Sequence, residues 1–60
     1  MSITLFEKTA GDLSGEIRID KYSNLYHVLV YYYGKTIYRN TFDSMKNARA
    51  ALVRNMKKFG

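Results

Sequence analysis

One helical stripe limits what this chain can become. Met45, Ala48, Leu52, Met56 and Phe59 recur at spacings of three and four, which gathers apolar side chains on one side of an α-helix. Upstream of that stripe the sequence reads as strands and turns. A single helix must therefore cover whatever sheet the strands build. It can shield one side only.

The strands are read from alternation. Residues 3–8, Ile-Thr-Leu-Phe-Glu-Lys, alternate in part and suit an edge strand. Residues 10–15 hold Gly11, Asp12, Ser14 and Gly15, a composition that predicts a loop. From Glu16 to Lys21 the alternation is clean, with Ile17 and Ile19 opposed to Glu16, Arg18 and Asp20. Ser23-Asn24 marks a second turn. Residues 25–33 are rich in β-branched and aromatic side chains and form the strongest strand. Period-two alternation puts Tyr26, Val28, Val30 and Tyr32 on one face, and Leu25, His27, Leu29, Tyr31 and Tyr33 on the other. Gly34-Lys35 reads as a tight hairpin turn, since Gly34 is free to take positive φ. Residues 36–42 return as the last strand. Asp43-Ser44 offers an N-cap to the helix from Met45 onward, and Gly60 a terminal cap.

The expected fold is α+β, a three- to four-stranded antiparallel sheet packed on one C-terminal α-helix (ββββα or βββα). It forms a single small domain over residues 1–60. Whether the first 14 residues make a strand stays open at this point.

A domain of this size buries only about 60% of the surface its unfolded chain exposes, so many such domains lean on disulfides, a metal or a second subunit. Cysteine is absent and His27 is the lone histidine. No disulfide, zinc site or cofactor is expected. No apolar run nears the roughly 18 residues a bilayer-spanning helix needs, and no secretory signal opens the chain. A cytoplasmic protein with no membrane partner is the expectation. No nucleophile–base pair, phosphate-cradling glycine loop or ligand cluster stands at a recognisable spacing. A non-enzymatic role follows.

Charge is unevenly spread. Residues 1–34 sum to −1 and residues 35–60 to +6. A one-sided basic field attracts polyanions, although a solvated basic helix also keeps a small protein soluble. By parity, Tyr26 and Tyr32 join the core, and the uncovered sheet face carries His27, Leu29, Tyr31, Tyr33 and Tyr38. Tyrosine combines a broad apolar ring with a polar tip. With Arg18, Lys35 and Arg39 nearby, such a face suits stacking on bases and pairing with phosphates. It equally suits a partner protein or a homodimer, an option that Leu29 favours.

The stretch from Tyr26 to Leu52 also carries a resemblance. Tyr26-His27-Val28-Leu29-Val30, the Gly34-Lys35 turn, and Tyr38-Arg39-Asn40-Thr41-Phe42-Asp43-Ser44 leading into Ala48 and Leu52 resemble the three-stranded-sheet-plus-helix DNA-binding modules. These include the plant ethylene-response-factor domain and the arm-binding N-terminal domain of tyrosine recombinases. The resemblance implies that the exposed sheet face enters the major groove, with Arg18, His27, Leu29, Tyr31 and Tyr38 as reading positions. In style the chain is also similar to short accessory proteins of bacteriophages, which often bind one host protein.

The expectation is a nucleic-acid-binding module, DNA over RNA. Arg18, His27, Leu29, Tyr31, Tyr33, Lys35, Tyr38 and Arg39 would form its recognition face. Lys46, Arg49, Arg54 and Lys57 on the helix would meet backbone phosphates. The alternative is a protein-interaction module, such as a phage-encoded inhibitor or adaptor of a host protein.

Overall fold

The computed structural model describes residues 2–59, with side chains from Ile3 to Lys58. The stripe position of Phe59 and the cap at Gly60 lie outside the described side chains and residues. Four strands, β1 (Ser2–Ala10), β2 (Leu13–Asp20), β3 (Leu25–Tyr32) and β4 (Lys35–Phe42), precede one helix, α1 (Met45–Phe59). They form a single antiparallel sheet in the order β1-β2-β3-β4, with β1 and β4 at its edges. The fold is α+β, the four-stranded ββββα form of the expectation.

The loop predicted over residues 10–15 contracts to Gly11-Asp12, where Gly11 takes φ 64° and lets the chain reverse in a tight turn. Ser14 and Gly15 lie inside β2. Gly15 serves there by its size. A Cβ at that position would run into Leu52 Cδ1 and come within 3.2 Å of Met56 Sδ, so its bare backbone lets the helix settle onto the sheet.

That contact defines the core. Leu13, Ile17, Val28, Val30, Ala48, Leu52 and Met56 are buried, with Phe6, Tyr26, Tyr38, Phe42 and Met45 packed around them. Ile17 pairs with Val28 and Gly15 with Val30, so the two central strands offer one apolar surface to the helix. Ile17, Val28, Val30 and Leu52 retain no exposed surface, and each contributes about 1.5–3 kcal/mol of burial. The shortest dimension is 15 Å, enough for one sheet and one helix.

Local bonds fix the joints. Ser44, rather than Asp43, caps the helix: its Oγ accepts from the Asn47 N–H at 3.5 Å, and its carbonyl from the Ala48 N–H at 3.0 Å. At the β2–β3 turn the Asp20 carboxylate accepts from the Tyr22 N–H at 3.0 Å. The Asp20 carbonyl accepts from the Asn24 N–H at 2.7 Å. The first of these bonds is the main reason that the Asp20 carboxyl titrates below its ordinary range.

Two register shifts alter what each face displays. Between β3 and β4, Val30 faces Tyr38 while Tyr31 faces Thr36, which leaves Ile37 as an extra residue. A bulge of this kind interrupts simple alternation. Strict alternation from Thr36 would carry Tyr38 to the uncovered face. The bulge instead turns it beneath the helix, where it packs against the core. A second shift, between Thr4 and Phe6, leaves Leu5 extra in β1.

The hairpin also moves by one residue. Its turn is Tyr33-Gly34, with φ 52° and 80°, the pair of positive values that marks a type I′ turn. Tyr32 then pairs with Lys35. Tyr33 leaves the strand before reaching the uncovered face. Tyr32 keeps its helix-side parity but is 44% exposed at the end of the sheet, so it does not join the buried core.

Candidate nucleic-acid interface

The uncovered side of the sheet is organised in rows by strand register. Thr4, Arg18, His27 and Thr41 form one row; Glu7, Glu16, Leu29 and Arg39 form the next; Thr9, Ser14, Tyr31 and Thr36 form a third. Of the residues expected on this face, Arg18, His27, Leu29, Tyr31 and Arg39 are brought together. Tyr38 is under the helix and Tyr33 is in the hairpin turn. Lys35, across from Tyr32, belongs to that end of the sheet.

The groups on this face are already engaged with one another. The Tyr31 hydroxyl donates to Glu16 Oε1 at 2.8 Å. Desolvation first, and then this carboxylate, push the hydroxyl above the usual tyrosine range. Arg18 Nη1 stands 4.0 Å from the same oxygen, while Arg18 Nε is shielded from solvent without an acceptor. Thr41 Oγ1 lies 3.3 Å from His27 Nδ1. Glu7, Glu16 and Asp20 oppose Arg18 and Arg39, so the charges nearly cancel. The result is a braced polar surface around Leu29. Its one tyrosine has its hydroxyl committed to a carboxylate.

The outer side of α1 is different. The helix carries Lys46, Arg49, Arg54, Lys57 and Lys58 with no Asp or Glu. Elsewhere Lys8, Arg18, Lys21, Lys35 and Arg39 balance Glu7, Asp12, Glu16, Asp20 and Asp43, so the helix alone carries the chain's net charge of +5. Arg49, Arg54 and Lys57 line a shallow groove floored by Ala50 and Val53. Arg54 also borders a second groove against β4, with Tyr38, Asn40, Phe42 and Asn55 among its walls. The Arg49 guanidinium lies 5.2 Å from the centre of the Phe6 ring. Such an exposed contact contributes about 0.5–1 kcal/mol and directs the side chain across the sheet edge. Among the described residues, Lys46, Arg54 and Lys57 make no ion pair. Lys57 and Lys58 occupy the last turn, where positive charge suits the helix dipole.

Lys46, Arg49, Arg54 and Lys57 were expected on this helix from the sequence, and three of them meet along one groove. The apolar floor was not anticipated. Its signal was present in Ala50 and Val53, apolar residues that fall off the core stripe. Among the described residues no group of three or more His, Cys, Asp or Glu side chains is placed to hold a metal ion. No described helix is long and apolar enough to cross a membrane. No family model, curated protein or solved structure matches the chain.

Proposed function

We propose that this protein is a non-enzymatic nucleic-acid-binding module, DNA over RNA, whose helix lies along the phosphate backbone. The observation that carries this reading is the confinement of the whole net charge to the acid-free helix. Duplex DNA bears one negative charge per roughly 1.7 Å of axis, so a helix carrying Lys46, Arg49, Arg54 and Lys57 meets several phosphates at once. The resemblance to sheet-plus-helix DNA-binding modules would instead send the uncovered sheet into the groove. On that route Glu7 and Glu16 would approach phosphates, which favours the helix for backbone contact. Arg18, His27, Leu29, Tyr31 and Arg39 then take a subordinate place. The absence of cysteine supports a cytoplasmic setting.

Titration of a labelled duplex, followed by fluorescence anisotropy at several salt concentrations, tests this. If Lys46, Arg49, Arg54 and Lys57 each neutralise one phosphate, affinity falls roughly 150-fold between about 50 and about 200 mM salt. Absence of binding at the lower salt, or binding indifferent to salt, would end the reading.

A second reading, as a protein-interaction module, is favoured by the uncovered face, where Leu29 is surrounded by charges of both signs. Protein contacts commonly combine an apolar centre with a polar rim. A homodimer and a phage-type adaptor of a host protein both fit that arrangement. Sedimentation of the intact protein and of Leu29→Asp over a range of concentrations tests the homodimer, which requires self-association that the variant loses.

A further inference from the structure

Tyr33 occupies a position that turn chemistry ordinarily gives to asparagine, aspartate or glycine. Its φ of 52° puts a bulky aromatic residue in the left-handed region, a genuine outlier. Such strain persists where the surroundings over-determine it, and it clusters at binding sites. Here the surroundings do so. The Tyr33 N–H donates to the Asp12 carbonyl at 3.3 Å. The neighbouring Asp12 side chain raises the pKa of the Tyr33 hydroxyl. The ring meets that of Tyr32 edge to face, with centroids 4.5 Å apart. Despite these ties, Tyr33 stays 69% exposed and Tyr32 44%. The pair is rigidly held and gives little to the core.

A lysine stands at the same end of the molecule. Lys35 pairs with Tyr32 across the hairpin. Leu13, the other neighbour of Tyr32 in the sheet, shares the buried core with Met56. Met56 is followed in the last turn of α1 by Lys57 and Lys58. Aromatic rings flanked by lysines bind single-stranded nucleic acid by stacking, with tolerance for base identity.

We propose that Tyr33, braced by Tyr32, is a stacking platform for an unpaired base whose flanking phosphate meets Lys35. The protein then prefers a junction of duplex and single strand to duplex alone. This inference rests on the nucleic-acid reading above and names the form of nucleic acid involved.

The test compares a blunt duplex with the same duplex bearing a short single-stranded overhang, using intact protein, Tyr33→Phe and Tyr33→Asn. The Asn variant relieves the turn while removing the ring, so its fold is at least as stable, as thermal unfolding will show. The native protein is expected to favour the overhang about tenfold, within the usual range for one stacked base. Tyr33→Phe keeps that preference. Tyr33→Asn loses it and retains blunt-duplex affinity. Equal binding of both forms by the native protein, or a preference that survives in Tyr33→Asn, overturns the inference and leaves the helix–phosphate reading intact. Failure to bind either form at about 50 mM salt removes both, since even non-specific affinity is visible there.

Discussion

On the uncovered side of the sheet, Glu16 accepts a hydrogen bond from Tyr31 at 2.8 Å and stands 4.0 Å from Arg18. On the outer side of α1, Arg54 and Lys57 border a groove floored by Ala50 and Val53, on a helix that contains no acid. Both surfaces bear arginine, yet only one projects a field. A cation beside a carboxylate spends its charge locally. Unopposed cations in a row add theirs over about 8 Å, the screening length at physiological salt. Counter-charge, more than the number of basic or aromatic side chains, thus separates a surface that projects a field from a self-satisfied one.

Several measurements can break or sharpen that contrast. The largest effect is expected from Leu52→Ala, because Leu52 is fully buried between the two layers. Its truncation should cost about 2–5 kcal/mol in urea denaturation, a large share of what a small domain possesses. A cost below about 1 kcal/mol would mean that the helix is not anchored there, and that the two surfaces are not held apart as described.

Next comes charge reversal. Arg54→Glu with Lys57→Glu should lower duplex affinity about 100-fold at low salt, while Arg18→Glu with Arg39→Glu should change it by less than about threefold. Anisotropy titrations of both double variants decide the matter, and equal losses would erase the distinction between the faces.

A smaller effect belongs to Tyr31→Phe, which removes the partly exposed bond to Glu16 and should cost about 0.5 kcal/mol. The native hydroxyl titrates above its unfolded value, so its stabilising contribution is complete below about pH 10. That contribution declines as pH rises through the folded value. Unfolding midpoints measured across this alkaline range should fall less steeply in the Phe variant. Asp20 gives the reverse and slightest case. Its pKa is lowered from 3.8 by the Tyr22 N–H, so its contribution is present above that value and is lost as pH falls through the folded one. Asp20→Asn should flatten the acid limb of the stability curve.

The helix and central strands were legible because period 3.6 and period 2 are written directly in residues 45–59 and 25–32. The bare helix charge was legible too, since the absence of acid from residues 45–59 needs no register to see. Cancellation on the sheet did need it. Glu16 and Arg18 become significant only once β2 is set beside Tyr31 and His27. Gly15 carried turn-like composition, and only the approach of Leu52 explains it. Tyr38 was misplaced because a bulge leaves no mark on Thr36-Ile37-Tyr38 as a string. Tyr33 looks like strand in the sequence because its turn position runs against the preference of its residue type.

Leu5 and Ile37 give the molecule a property of its own. Each is a surplus residue on an outermost strand, and so each interrupts the row of main-chain donors and acceptors that a passing extended peptide would need as a template. With no proline anywhere in the chain, these two interruptions act as the gatekeepers. An edge broken in this way is a poorer template for a further strand, which works against stacking of the sheet into a fibre.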